Sequence, residues 1–227
     1  YVVGGCVRDS LLGRLPGDWD ICTSARPDEM KALFCSQRLI LTGEKHGTVA
    51  VILHGKPYEM TTYRLDGSYR DHRLPDNVQF VDDLAADLAR RDFTINAMAY
   101  NDDERLVDAF GGMRDLNYHL IRCVGDPKER FSEDALRILR AVRFSAQLAF
   151  PIEPETAEAI KSLAPNLEKI SAERIQAELV KLLVSDHPER IQDACELGIT
   201  KVVLPEWDDM VGVKQNTPHH KYDVAAH

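Results

Sequence analysis

Apolar positions change their spacing along this chain. In the first half, short apolar runs alternate with mixed segments; in the second half apolar residues recur every three or four positions. The run Tyr1–Val3 closes on Gly4-Gly5 and predicts a strand that turns into a helix from Cys6, ended by Gly13. Asp18–Cys22 reads as a strand, and Pro27–Phe34 as a helix with Pro27 in its first turn. Thr48–Leu53 (TVAVIL) is apolar and β-branched, which predicts a buried strand. Tyr58–Tyr63 is its expected partner, with His54–Pro57 as the turn. Leu65–Asn77 is polar and rich in turn formers. It is long for an inert connector, so it is expected to be functional or mobile. Ser132–Phe144 predicts a helix capped by Ser132, with Leu136, Leu139 and Val142 on its apolar stripe. Ser171–Leu183 places Ile175, Leu179 and Leu182 on one face, and Pro188–Leu197 runs from a proline to Gly198. The expectation is an α+β chain, a mixed head followed by a helical extension.

Composition narrows the class. The chain has 227 residues, 44% of them hydrophobic, and a formal net charge of −9. That is enough chain for a core without disulfide staples, and no run approaches the roughly 20 apolar residues of a membrane span. Net acidity argues against a general nucleic-acid coat, which needs basic charge to displace counterions from phosphate, but leaves room for a local basic site. The five cysteines are widely spaced, with no CxxC pair. A reducing, cytoplasmic location is therefore expected. Both ends read as cut, so a fragment of a longer chain is expected.

Three constellations carry chemistry. The first is Gly4-Gly5-Cys6-Val7-Arg8-Asp9 followed by Asp18-Trp19-Asp20. Glycine lets the backbone approach a phosphate closely, and Arg8 adds charge. Asp18 and Asp20, two apart on the expected strand, would point to one side and offer hard oxygens to magnesium. Glu59 is either a third carboxylate of a phosphoryl-transfer site or a surface acid on an edge strand. The second is Arg90-Arg91-Asp92 with Asn96: either a guanidinium clamp on phosphate, with Asp92 beside a ribose hydroxyl, or a solvated basic face. The third is Glu133-Asp134 with Arg137, Arg140 and Arg143, whose spacing of three keeps neighbouring members close on a helix. An Asp–Arg pair has a definite meaning for base choice. A carboxylate accepting from an exocyclic amino group, with a guanidinium donating to the adjacent ring nitrogen, matches both cytosine and adenine. Uracil and guanine present the opposite polarity and would leave buried polar groups unmatched.

In this order, the segments GGCVRDSLLGRLPGDWDI, EMTTYR, RRDFTINAMAY, DAFGGMRDLNYHLIRCVGDP, RFSEDALRILRAVRFS and SAERIQAELVKLL resemble the class II nucleotidyltransferases. That group holds the tRNA CCA-adding enzymes, A-adding enzymes and bacterial poly(A) polymerases. The resemblance implies a nucleotidyltransferase head with a mixed or antiparallel sheet over 1–126, a helical neck with a base-selecting helix over 127–185, and a partial helical body leading into an HD-like domain over 186–227. It implies magnesium on Asp18 and Asp20, with Glu59 assisting. Gly5, Arg8 and Arg91 would contact the triphosphate, with Asn96 also in the nucleotide site and Asp92 near the ribose. Asp134 and Arg137 would template the base, with Arg140 and Arg143 close by. The implied activity is addition of CMP and AMP, from CTP and ATP, to a tRNA 3′ end. Poly(A) or A-only addition is the nearest alternative, and a non-catalytic RNA-binding fragment the more distant one. Leu65–Asn77 would match the family's flexible loop. For His219, His220 and His227 a partly ordered terminus is expected rather than a hydrolase metal set.

Overall fold

A computed structural model describes residues 1–67, 78–215 and 222–225. The chain divides into two compact units, the first running to Asp126 and the second starting at Pro127. Positions 68–77 of the polar segment, and His219, His220 and His227, lie outside the described residues.

The first unit is built on a seven-stranded mixed sheet. In chain order its elements are β1 (Val2–Val3), α1 (Gly5–Leu11), β2 (Asp20–Thr23), α2 (Pro27–Leu33), β3 (Arg38–Ile40), β4 (Thr48–Leu53) and β5 (Lys56–Thr62), continuing with β6 (Arg64–Asp66), β7 (Val78–Phe80), α3 (Leu84–Ala89), β8 (Ala99–Asn101), β9 (Arg105–Val107) and α4 (Gly112–Asn117). The sheet order is β3-β4-β5-β2-β1-β8-β9, while β6 and β7 form a separate ribbon. Every neighbouring pair is antiparallel except β2 and β5. The excursion through α2, β3 and β4 returns the chain parallel to β2, as a crossover must.

Alternation explains the sheet's core. Val49 and Val51 are fully buried with Met30 of α2, and Phe34, Leu39 and Met60 pack around them. Each such side chain contributes about 1.5–3 kcal/mol on burial. A second cluster joins Val3, Cys22, Tyr63, Leu88, Ala97, Ala99 and Val124. It ties β1, β2, α3 and β8 together beneath the segment that carries the Arg90-Arg91 pair.

Three expectations are corrected in this unit. Strand β2 begins at Asp20, so Asp18 sits in the connection ahead of it rather than on the strand. The β4–β5 turn is only His54-Gly55, with φ of 50° and 78°, and Pro57 lies inside β5. Two consecutive left-handed residues match the right-handed twist of the flanking strands, so the turn closes in two residues rather than four. Finally, Leu65 and Asp66 belong to β6, where Leu65 pairs with Gln79 of β7, rather than to a loop.

The second unit is helical: α5 (Pro127–Glu133), α6 (Leu136–Leu148), α7 (Pro154–Leu163), α8 (Ala172–Leu183), α9 (Ile191–Glu196), α10 (Thr200–Val203) and α11 (Pro205–Met210). Leu136, Leu139 and Val142 are buried as their spacing predicts, together with Phe131, Ile138, Ala141 and Ala146. Ser132 is not a cap. It lies within α5, and the helix expected over 132–144 is two helices broken at Asp134. Ser171 does precede α8, but its hydroxyl caps nothing. Among the described residues no helix is long and apolar enough to cross a membrane.

Candidate active site

Strand register brings the first two carboxylates together. Parallel pairing of β2 with β5 sets Asp20 opposite Glu59, and Cys22 opposite Thr61 two residues further on. Opposed residues of neighbouring strands share a face, so the acids of DWD and YEM fall side by side although 39 positions apart in sequence. The Asp20 side chain stays accessible to solvent, yet protein atoms crowd its carboxyl. Lost hydration raises its pKa, Arg91 offsets part of that rise, and the charge of Asp18 adds to it. Asp18 therefore lies near enough to be felt despite standing outside the strand. Among the described residues no three potential ligand side chains form a ready-made metal cage. Two carboxylates with open sides fit magnesium better than a closed cage would, because that ion keeps waters and takes substrate phosphate oxygens as ligands. Glu59 is a register neighbour rather than a third preformed ligand.

Beside these acids lies a group of arginines, each oriented by a carboxylate or an amide. Gly4 has a φ of 80°, and its N–H donates to the Met98 carbonyl at 3.1 Å. A Cβ there would stand 3.0 Å from Nη1 of Arg91, a tight approach, and the positive φ itself favours glycine. Arg91 Nε is buried and has no protein hydrogen-bond partner, a donor left unsatisfied by the protein itself. Arg8 is 7% exposed. Its Nε and Nη2 bond Asp9 at 2.9 and 2.8 Å, and Nη1 donates to Asn96 Oδ1 at 2.7 Å. Asn96 in turn donates to Asp92 Oδ1 at 3.2 Å, which also takes the Phe93 N–H at 2.8 Å. Helix α1 and the RRDFTIN segment are thus joined through one buried chain, Arg8–Asn96–Asp92. Gly5 opens α1 within reach of Arg8: a Cβ there would lie 3.7 Å from Arg8 Nη2.

The remaining candidates sit in the second unit, at the α5–α6 break. Asp134 Oδ1 accepts the Leu136 N–H at 3.0 Å, and Oδ2 accepts from Arg174 Nη2 of α8 at 2.9 Å. Arg137 donates through Nη1 to Glu133 Oε2 at 2.7 Å and to the Arg130 carbonyl at 3.1 Å. Glu133 also binds Arg130, at 2.5 Å. The three arginines expected in register fan out instead. Arg140 lies over the Phe144 ring at 5.3 Å. Arg143 turns inward, bonding Glu178 of α8 at 2.5 Å and Gln147 at 2.7 Å while stacking on Phe144 at 3.7 Å. At side-chain exposures of 8% and 6%, Arg143 and Glu178 form a buried strut between α6 and α8.

The family described as the Poly A polymerase head domain matches residues 1–122. The chain belongs to that family. A second family, described as a probable RNA and SrmB-binding site of polymerase A, matches residues 149–211. The CCA-adding enzyme of Levilactobacillus brevis is 54% identical over 190 residues, covering 84% of this chain and 47% of the relative. That of Lactobacillus helveticus is 53% identical over 215 residues, 95% of this chain and 53% of the relative. The chain therefore spans about half the length of the curated relatives it matches. Among solved structures, the Bacillus stearothermophilus CCA-adding enzyme in complex with CTP matches with a TM-score of 0.80 at 44% identity, over 88% of this chain and 48% of that one. The Thermotoga maritima CCA-adding enzyme complexed with tRNA matches at 0.73 and 31%, over 96% and 49%.

Four residues that were not among the sequence candidates organise this head domain and its helical neighbour. Asp87 holds Arg90 and Arg91, Arg174 holds Asp134, Glu178 holds Arg143, and Asp115 holds Thr94 at 2.8 Å. Asp87 was visible in principle, since it precedes the two arginines by three and four, the spacing of helical neighbours. Arg174 and Glu178 were not, because their partners lie 40 and 35 positions away.

Proposed function

We propose that this chain is the head and neck of a tRNA CCA-adding nucleotidyltransferase. Residues 1–126 are the head, 127–185 the neck, and 186–227 part of the helical body. It acts on the 3′ end of tRNA with CTP and ATP in the cytoplasm. The supporting observation is the conjunction of Asp18 and Asp20 with Arg91, hard oxygen ligands near a guanidinium whose Nε has no protein partner. Phosphoryl transfer consists largely of positioning and electrostatic stabilisation, which is what these groups supply.

Asp18 and Asp20 would hold the metal, magnesium by the chemistry of the donors, with Glu59 alongside. When bound, the ion supplies a Lewis acid that favours the attacking RNA 3′-hydroxyl and the departing pyrophosphate. Arg91, together with the close backbone at Gly4 and Gly5, binds the triphosphate. Arg8 fixes Asn96, and Asn96 steadies Asp92 for the ribose hydroxyl. Asp134 accepts the exocyclic amino group of cytosine or adenine and Arg137 donates to the ring nitrogen. Arg140 contributes positive charge nearby, while Arg143 keeps α6 seated on α8. Similarity to the CTP-bound Bacillus stearothermophilus enzyme supports the choice of nucleotide.

The test uses the full-length protein, magnesium and a tRNA transcript lacking CCA, with CTP and ATP given separately and together. CTP alone should add two cytidines, and the pair should finish the triplet. A run of adenosines from ATP alone would point to a poly(A) polymerase, and no extension at all to a non-catalytic RNA-binding protein.

A further inference from the structure

We propose that Asp87 is a positioning residue that sets the Arg90-Arg91 pair for the phosphates of the incoming nucleotide. The proposal rests on the nucleotidyltransferase reading above. Asp87 sits near the end of the six-residue helix α3, and its side chain is 1% exposed. Oδ1 accepts from Arg90 Nε at 3.0 Å and Nη2 at 2.8 Å, and Oδ2 from Arg91 Nη2 at 3.4 Å. The same Oδ1 takes the backbone N–H of Arg64 at 3.3 Å, at the root of the β6–β7 ribbon.

Residues three and four positions along a helix both lie beside residue i, so one carboxylate at Asp87 can meet both arginines. Helix α3 itself ends at Ala89. Arg90 is its C-cap, and the Arg91 N–H returns to the Leu88 carbonyl at 3.1 Å, which folds the next side chain back over the helix end. Anchored through Nη2, Arg91 presents Nη1 towards the bare Cα of Gly4 and keeps Nε without a protein partner. A guanidinium on a flexible stem loses considerable rotamer entropy when it grips a ligand. Asp87 imposes that order in the free protein. A buried carboxylate facing two cations does not merely neutralise them. It aims one of them.

If Asp87 acts on phosphate binding, its loss should separate a triphosphate from a monophosphate. Titration calorimetry on the full-length protein with magnesium would compare CTP with CMP, alongside steady-state extension of tRNA. Asp87→Asn keeps the shape but removes the charge. It should raise the CTP Kd and KM about tenfold, leave CMP binding within about twofold, and change kcat less than about threefold. Asp87→Glu keeps the charge one methylene further out and should raise the CTP constants roughly threefold. It serves as the test if Asp87→Asn does not fold. Combining Asp87→Asn with Arg91→Lys should be little worse than Arg91→Lys alone, because both act through one guanidinium. Equal loss of CTP and CMP binding would reduce Asp87 to a stabilising residue and overturn the proposal, as would unchanged CTP constants in a folded variant. A wild-type protein that extends tRNA while Asp87→Asn behaves normally refutes only this proposal. A wild type that neither binds CTP nor extends tRNA refutes the nucleotidyltransferase reading, and this one with it.

Discussion

In the first unit Asp20 stands beside Glu59 because two strands share a register; in the second, Asp134 stands where it does because a helix stops and Arg174 reaches it. The first placement is made by backbone. The β2–β5 ladder runs over four residue pairs, and deleting one side chain leaves it intact. The second is made by side chains, at an interruption where Leu136 N–H, Arg174 and Glu133 hold Asp134 and Arg137, the two groups proposed to face the base. Altering a neighbour of Asp20 should therefore change chemistry without moving the group, whereas altering a neighbour of Asp134 should move the group itself.

The most severe break is in the first unit. Asp18→Ala should lower nucleotide addition roughly a thousandfold or more while the melting temperature barely changes, read from tRNA extension and calorimetric unfolding. Activity retained within tenfold would remove Asp18 from the metal site. Next comes the buried strut of the helical unit. Glu178→Ala leaves the Arg143 guanidinium buried without its carboxylate and should lower stability by about 3–5 kcal/mol in urea unfolding, with base preference unchanged. A shift in base choice would return Arg143 to the nucleotide site. Smaller in energy but more specific, Arg174→Ala frees Asp134. The preference for CTP over UTP should fall about tenfold, with kcat/KM for CTP down less than about threefold. An unaltered preference would mean that Asp134 needs no help from α8.

The smallest effect concerns pH. The Asp20 carboxyl is raised above its ordinary value of 3.8, chiefly by lost hydration. Between the unfolded and the folded pKa the native state holds the extra proton, so stability falls as pH rises through that window. Asp20→Asn removes the ionisation. Relative to wild type it should gain stability at about pH 7 and not at about pH 3, measured as the difference in melting temperature at each pH. An equal difference at both would mean that Asp20 is not strained in the folded protein. Placing an anion where the fold disfavours one is expected of a site completed by a cation.

Much of the fold was legible because its signals are local. TVAVIL alternates its burial as a strand should, with Val49 and Val51 inward, and the stripe of α6 is buried where its spacing predicts. Errors clustered where one residue decides between two local solutions. A left-handed His54 tightened the hairpin turn, and Asp134 broke a helix that periodicity ran straight through. A capping aspartate inside an apolar pattern is a weak signal, since its effect depends on whether the side chain bonds the backbone or a distant partner.

By itself the sequence determined the order of elements, the apolar faces and the chemical character of the candidates: paired acids, adjacent arginines, and an Asp–Arg pair three apart. These follow from residue type and short-range spacing, which no tertiary contact alters. Tertiary structure alone decided that Asp20 faces Glu59, that Arg91 leans on Asp87 beside a bare Gly4, and that Arg143 is a strut while Asp134 is held by Arg174. A charged side chain commits to the partner that best repays its desolvation. Where that partner lies decades away along the chain, only the folded backbone brings the two within reach.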